Sequence, residues 1–494
     1  MASPLYIAVD LGAGSGRVFL ASAEEKEFLL EEIHRFQYPP AVENGHLRWN
    51  FPHIFSEIKT GLRNAGMRAK ELGRPVRSIG VDSWAVDYGL VDAGGDLIAN
   101  PVCYRDNRTA DAMDRVFEKV SRSTIFEKTG IQFQPFNTLF QLYSEAEDLS
   151  RVSKLLLLPD LINFFLTGNA GAEYTNATTT QMVGALSGDW DAGQLNIADV
   201  PAEILADIVP TGTDLGPLKP EIADELGLSN VRVIAPATHD TASAIAGAPL
   251  ADGRAYISSG TWSLVGIERD EALIDSEVAR QNFTNTGGAY GKICFLKNVM
   301  GLWIFESCRR EWKAQGIDID YDSIISEVSA KSEFSALIFP DDPRFLNPPS
   351  MLGAIGQQLA ETGQKFDEPP AWVAKVIFDS LAFRYASVLR TIESLTNCKL
   401  SRIEILGGGG RNRYLNQMTA NASRLPTRAG LTEATVVGNV LVQAIADGRF
   451  STLADGRGYV AENFEFEEFT PQLSAETEEA AERYHAVESG YSSG

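Results

Sequence analysis

The sequence is poor in the residues that build metal cages, redox pairs and nucleic-acid surfaces. It has four cysteines, Cys103, Cys294, Cys308 and Cys398, far apart and without a C-x-x-C pair, so they read as reduced thiols of a cytosolic protein. Its five histidines include no H-E-x-x-H, which argues against a zinc site and leaves oxygen-held hard cations as the expected metal class. Basic residues are outnumbered: 43 Lys and Arg face 66 Asp and Glu, a formal charge of −23. Such a surface repels nucleic acid and anionic membranes, and an anionic ligand then needs a locally built site. The start has no basic segment and Asp10 interrupts the only early apolar run, so neither a signal peptide nor a membrane anchor is expected. No G-x-x-x-x-G-K-[ST] occurs, which argues against a Walker-type nucleotide loop. Triplets such as Asn107-Arg108-Thr109 are then chance matches to a glycosylation signal.

What is present starts at Tyr6-Ile7-Ala8-Val9, a bounded apolar run that predicts a buried strand with Asp10 at its carboxyl end. Gly12, Gly14, Ser15 and Gly16 follow as a turn, and Val18-Phe19-Leu20-Ala21 resumes as strand, whereas a dinucleotide fingerprint would open a helix. Glycine turns join many hairpins with no ligand at all. A strand, a carboxylate, a glycine turn and a second strand also suit a hairpin whose backbone amides hold phosphate while Asp10 faces a hydrated Mg²⁺.

At 494 residues the chain exceeds one hydrophobic core, and two or three domains with room for a cleft are expected. Residues 28–36 predict a third strand, and Ile54, Ile58, Leu62, Ala65, Ala69 and Leu72 predict an amphipathic helix over 51–73. Residues 78–82 predict another buried strand, followed by Trp84 and Asp87, placed for substrate contact or for packing. Residues 131–182 mix helical runs with polar turns, an insertion suited to shaping a pocket. The strand 231–235 runs into His239, Asp240 and Thr241 before a helix. That trio reads either as a helix cap or as a catalytic group. Residues 247–253 look like an interdomain connection, after which strand, turn Ser259-Gly260-Thr261 and strand repeat the opening arrangement. Helical spacing continues over 371–396, Gly407 to Gly410 follow a strand at 403–406, and a last helix covers 433–447. The glycine run suits close approach by an adenine edge, or a bare turn. The acidic stretch from Ala461 reads as peripheral helix or loose tail.

With these pieces assembled the sequence resembles the FGGY family of carbohydrate kinases, in the superfamily of actin, sugar kinases and Hsp70-like ATPases. It is most similar to those members that act on L-rhamnulose. The stretches that carry this are VDLGAGSGRV, GVDSWAVDYGL, CYRDNRT, GIQFQPFNTLFQL, EYTNATTTQ, THDTASA, YISSGTWSL, LKNVMGLW and LGGGGRN, spanning Val9 to Asn412. The resemblance implies an α/β protein of two actin-like ATPase (ribonuclease H-like) domains with an interdomain cleft, divided as 1–248, 249–460 and an acidic tail at 461–494. It implies ATP-dependent phosphorylation of the 1-hydroxyl of L-rhamnulose in rhamnose catabolism, with ATP and Mg²⁺ as cofactors. Partners are then a small sugar and ATP, with neither nucleic acid nor membrane; oligomeric state is left open. By the same resemblance Ala13, Gly14, Ser15, Gly16, Arg17, Thr261, Glu306 and Gly408 contact ATP, and Asp10 orients the metal. Ala85, His239, Asp240, Thr241 and Asn298 line the sugar pocket, with Asp240 as the catalytic base. The sequence departs from the pattern at Ala85, where relatives commonly have Gly, and at Glu306, where a neutral Gln is familiar. Thr419 and Ser423 stand where some relatives carry a cysteine pair. Another ketose specificity, such as L-fuculose or xylulose, and a non-kinase ATP-driven switch are the rival readings.

Overall fold

The computed structural model describes residues 3–145, 147–331 and 334–491. The chain forms two compact units by contact. One comprises Met1–Pro249, Glu268–Phe295 and Ala434–Phe464, and the other Leu250–Ile267, Leu296–Glu433 and Glu465–Gly494. A cut at 248/249 would separate the first long segments but not 268–295 and 434–464, which pack with the N-terminal body because their apolar faces are buried there.

In the first unit, strands β1 (Leu5–Gly12), β2 (Ser15–Ala23), β3 (Phe28–Gln37), β4 (Val76–Ser83), β5 (Asp214–Pro217) and β6 (Arg232–Ile234) form a sheet in the order β5-β6-β4-β1-β2-β3. β1 pairs antiparallel with β2 and parallel with β4, and β4 pairs parallel with β6. Leu5 to Leu11, Asp10 excepted, are buried hydrophobics because β1 is covered on both faces, which is why its sequence does not alternate. Helix α1 (Phe51–Glu71) packs Ile54, Ile58, Leu62, Ala65 and Ala69 in one core with Leu5, Ile7, Val9 and Leu11. Its start is fixed by Asn50, whose side chain accepts from the His53 N–H.

The even-numbered residues of β1 face the other way. There they meet helix α5 (Ala434–Ala446), whose polar i, i+4 pair Asn439 and Gln443 reads the neighbouring strand. Ser78 Oγ donates to Gln443 Oε1 at 2.6 Å, and Asn439 Nδ2 donates to Asp82 Oδ2 at 2.6 Å. A side chain at Gly80, between them, would put its Cβ 2.3 Å from Asn439 Oδ1. Helix α2 (Asp240–Gly247) lies against α5, where a Cβ on Gly438 would stand 1.8 Å from the Ser243 carbonyl. Glycine is required there by backbone approach.

A second sheet, built mostly from the other unit, repeats the plan. Strands β7 (Arg254–Ser259), β8 (Trp262–Arg269), β9 (Ile293–Met300), β10 (Arg402–Leu406), β11 (Thr427–Leu431) and β12 (Glu467–Phe469) run in the order β9-β8-β7-β10-β11-β12. β7 pairs antiparallel with β8 and parallel with β10, and the far edge β12 is antiparallel to β11, as β5 is to β6. Helix α4 (Pro370–Thr396) supplies the expected long core helix. The terminal segment is not a loose tail. It gives β12 and helix α6 (Ala475–Tyr491), where Tyr484 is buried and Glu488 pairs with the buried Arg384. The last helix is therefore α6, beyond the one expected at 433–447.

Candidate active site

Alternation along the parallel strands brings carboxylates together in the first unit. In the β1–β4 register Asp10 lies beside Asp82, both at strand ends on the face that meets α5, and Ser83 bridges in parallel to His239, next to Asp240. Three carboxylates thus gather at the carboxyl ends of adjacent parallel strands, where α/β sheets bind ligands.

Asp240 is the first residue of α2 and does not cap it; His239 holds the N-cap position with no side-chain bond. The capping alternative therefore fails. Asp240 Oδ1 accepts from the Thr241 N–H (2.5 Å) and Thr241 Oγ1 (3.2 Å), and about a third of its side chain is open to solvent. Removal from water, and then the Asp10 charge, push its pKa up to about 7. Burial lowers the His239 pKa to about 4, so the imidazole is neutral at pH 7 and its approach to Asp240 at 3.5 Å is no ion pair. Its Nδ1 is buried with no hydrogen-bond partner.

The segment leading to Asp240 is anchored by Glu173. This fully buried carboxylate accepts from Thr175 N (3.0 Å), Thr175 Oγ1 (2.5 Å), Thr211 Oγ1 (2.6 Å), Thr238 N (3.0 Å) and Thr238 Oγ1 (3.0 Å). Ser83 N–H donates to the Thr238 carbonyl at 2.9 Å. Five donors offset part of the cost of burying that carboxylate, whose pKa burial still pushes up, and they fix Thr238 and hence the entry into α2.

Asp82 was absent from the sequence candidates, yet it is fully buried beside Asp10. Desolvation, then Asp10, drive its pKa well up, and Oδ1 has no hydrogen-bond partner. The available signal was a carboxylate closing the apolar run at 79–81, just as Asp10 closes β1. Asn439 could have been found as a polar residue inside the apolar pattern of α5.

The glycine turn forms as expected. Ala13, Gly14 and Arg17 are half-buried, Ser15 is exposed, Gly16 is buried, and Gly14 takes φ +135°. Arg17 Nη2 reaches Asp10 Oδ2 at 2.5 Å. Ala85 is half-buried within the otherwise buried turn 84–87. Among the described residues no three His, Cys, Asp or Glu side chains are grouped to hold a metal alone. Asp10, with Asp82 behind it, instead fits a Mg²⁺ that would keep waters and phosphate oxygens as its ligands and be held through that water shell.

Thr261, Asn298, Glu306 and Gly408 lie in the second unit. Thr261 is exposed in the β7–β8 turn, and its carbonyl accepts from Trp303 N–H at 3.1 Å, which ties the LKNVMGLW segment to that turn. Asn298 is half-buried on β9. Glu306, in the first turn of α3 (Trp303–Ala314), is bound by Arg309 Nη1 at 3.0 Å through both oxygens. Gly408 is exposed, while a Cβ on the next residue, Gly409, would stand 2.0 Å from Ser259 Oγ. The glycine run thus lets the loop close onto the hairpin turn.

Two family descriptions match this chain. The N-terminal domain of the FGGY family of carbohydrate kinases matches residues 5–247, and its C-terminal domain matches residues 255–446. The chain belongs to the FGGY family of carbohydrate kinases. It is an ATP-dependent sugar kinase with the actin-like ATPase fold. Curated relatives include a rhamnulokinase of Bacillus subtilis, 37% identical over 95% of this chain and 96% of its own length. Another, of Bacteroides thetaiotaomicron, is 39% identical over 94% and 96%. Among solved structures, a xylulose kinase of Lactobacillus acidophilus superposes with TM-score 0.79 at 16% identity, covering 99% of this chain and 97% of that one. Plasmodium falciparum glycerol kinase with ADP gives TM-score 0.79 at 15% identity, covering 99% and 98%. Among the described residues no helix is long and apolar enough to cross a membrane.

Proposed function

We propose that this FGGY kinase transfers the γ-phosphoryl group of ATP to the 1-hydroxyl of L-rhamnulose, in the cytoplasm, with Asp240 as general base. The observation that carries the assignment of the base is the Asp240 carboxyl itself: open to solvent over about a third of its surface, placed beside Asp10 at the strand ends, and with a pKa of about 7. A base whose pKa lies near the working pH is ionised in a substantial fraction of molecules and still basic enough to accept a hydroxyl proton, which is worth about 10²–10⁴-fold in rate. The near-full-length likeness to curated rhamnulokinases supports the choice of sugar.

In the step itself the sugar O1 proton passes to Asp240 as the bond from O1 to the γ-phosphorus forms. The bond from that phosphorus to the β–γ bridging oxygen breaks, and ADP leaves. Ala13, Gly14, Ser15 and Gly16, with the Arg17 guanidinium, are assigned to the phosphate oxygens; the Gly14 N–H itself is turned to the Gly12 carbonyl at 2.7 Å, so the amide donors are those of Ala13, Ser15 and Gly16. The gain comes from alignment and charge stabilisation. When bound, Mg²⁺ neutralises phosphate charge, and Asp10 is the residue assigned to hold it through its water shell, with Asp82 behind it. Thr261 and Gly408 are assigned to the nucleotide. Glu306 is a weaker nucleotide contact, since Arg309 already occupies both of its oxygens. Neutral His239, Thr241, Asn298 and Ala85 are assigned to the sugar.

A coupled ADP-release assay across ketoses and polyols tests this. L-Rhamnulose is expected to give the highest kcat/KM; a clear preference for L-fuculose or xylulose would overturn the substrate, and sugar-independent ATPase activity insensitive to Asp240 would overturn the kinase step.

A further inference from the structure

The residue that shapes the glycine turn is neither in it nor among those assigned to ligands. Tyr38 follows β3 and is 2% exposed. Its backbone N–H donates to the Gly14 carbonyl at 3.0 Å, and its hydroxyl lies 2.6 Å from the Gly12 carbonyl and 2.9 Å from the Ser15 carbonyl. The hydroxyl shares its one proton between the Gly12 and Ser15 carbonyls and the amide holds the Gly14 carbonyl, while the Gly12 carbonyl also accepts from the Gly14 N–H at 2.7 Å. A carbonyl turned toward a phosphate would repel it. In a trans peptide the C=O and the following N–H point in opposite directions, so tying back the Gly12 carbonyl directs the Ala13 N–H the other way.

The Tyr38 ring continues the connection. It stacks on Trp84 (centroids 6.0 Å, 28°) and meets the edge of Trp49 (6.0 Å, 76°). Both indoles donate to one oxygen of the buried Asp87, Trp49 at 2.6 Å and Trp84 at 2.9 Å, and Gln141 Nε2 reaches the other at 3.2 Å. Trp84 N–H donates to the Leu11 carbonyl at 3.1 Å. Within this turn Val86 holds φ +71°, a strained conformation for a β-branched residue, while its carbonyl accepts from Thr138 Oγ1 at 2.8 Å. Strain of this kind persists where neighbours over-determine it, and here they also fix Ala85. Enclosure and the charges of Asp10 and Asp240 keep the Tyr38 phenol protonated and able to donate.

We propose that Tyr38 is a positioning residue that holds the glycine turn with its carbonyls withdrawn and joins it, through Trp84, to the turn carrying Ala85, so that nucleotide and sugar binding are coupled. The inference rests on the assignment of Ala13, Gly14, Ser15, Gly16 and Arg17 to phosphate and of Ala85 to sugar.

Tyr38→Phe removes one oxygen and keeps the ring. Calorimetric titration with Mg²⁺ and a non-hydrolysable ATP analogue, without sugar, is expected to show affinity about tenfold weaker, the size of one hydrogen bond. The KM for ATP should rise in step, with the KM for sugar within twofold and the melting temperature close to that of the parent. Trp84→Phe, which keeps a ring but loses the donor to Asp87, is expected to reduce the factor by which saturating sugar tightens the analogue. Unchanged analogue affinity in Tyr38→Phe, or equal loss for both substrates with a lowered melting temperature, would overturn the proposal. If no ketose is phosphorylated while Tyr38→Phe still loses analogue affinity, the sugar-kinase reading fails and the turn assignment stands.

Discussion

Asp240→Asn separates the two costs of holding a carboxylate at this site. Asparagine has nearly the same shape but cannot take a proton from a hydroxyl, so turnover should fall by about 10²–10⁴-fold, or ~3–5 kcal/mol in the barrier at 1.36 kcal/mol per decade. The KM values should move much less. The same replacement should stabilise the fold. The pKa of this group is about 7 in the native protein against an ordinary 3.8, raised by desolvation first and Asp10 second. For an acid whose folded pKa is raised, the native state binds the proton more tightly than the unfolded chain. Its stabilising contribution is then complete below pH 3.8 and disappears as pH rises through 7. Above that pH the ionised native carboxylate is a liability of at most ~4 kcal/mol. With about a third of the side chain open to solvent, about 1–2 kcal/mol is the expected figure.

The variant should therefore melt higher than the parent at pH 8, and the gap should shrink toward pH 5. Thermal unfolding followed at both pH values, beside single-substrate kinetics, reads both effects on one protein. In the parent, kcat/KM for the sugar should fall tenfold per pH unit below about 7, because only the ionised base accepts a proton. Near-normal turnover would remove Asp240 as the base. A variant that melts lower than the parent at pH 8 would refute the placement of Asp240 against Asp10 in a poorly solvated site.

Gly438→Ala places a methyl 1.8 Å from the Ser243 carbonyl and should cost about 3 kcal/mol of stability by denaturant unfolding, since backbone must move. Asn439→Ala leaves Asp82 without its 2.6 Å donor and should cost about 2–3 kcal/mol in the same assay, whereas an apolar substitution on the exposed face of α1 should not. Ala85→Gly removes the one partly open methyl of the turn 84–87. It should raise kcat/KM for a bulkier ketose by roughly tenfold with the KM for ATP within twofold, measured by ADP release.

What the sequence revealed and what it hid divide along a physical line. Asp10, the glycine turn and Asp240 were legible because each sits where a periodic pattern breaks: an apolar strand closed by a charge, a run of residues tolerant of unusual φ, a polar trio at a strand-to-helix junction. Helix α1 was legible from spacing alone, and the repeated hairpin from the order of strand, turn and strand. Asp82 and Asn439 break apolar patterns as well, but their pairing, like Tyr38 and the five-donor role of Glu173, was hidden because it depends on residues far along the chain. Asn439 meets Asp82 across 357 positions and Thr238 meets Glu173 across 65. The docking of 434–464 on the first unit, and the burial of Glu488 against Arg384, were hidden for the same reason. An acidic helix reads as solvated until its partner cation is known.

That division bears on where the site is built. The groups assigned to ligands lie on short turns at strand ends, while the groups that hold those turns come from elsewhere: Tyr38 beyond β3, Glu173 from the insertion, Asn439 from α5. Each holds the backbone or a carboxylate by hydrogen bonds of 2.6–3.0 Å in buried surroundings, where they are costly to lose. A surface turn by itself would sample many conformations and would meet the cost of ordering at the moment of binding. Here the ordering is done on folding, so that binding energy remains for aligning the sugar hydroxyl with the phosphorus. If this is right, Tyr38→Phe, Glu173→Gln and Asn439→Ala should each lower activity by more than their effect on stability explains. Activity losses that merely track the unfolded fraction at the assay temperature would show these residues to be scaffold alone.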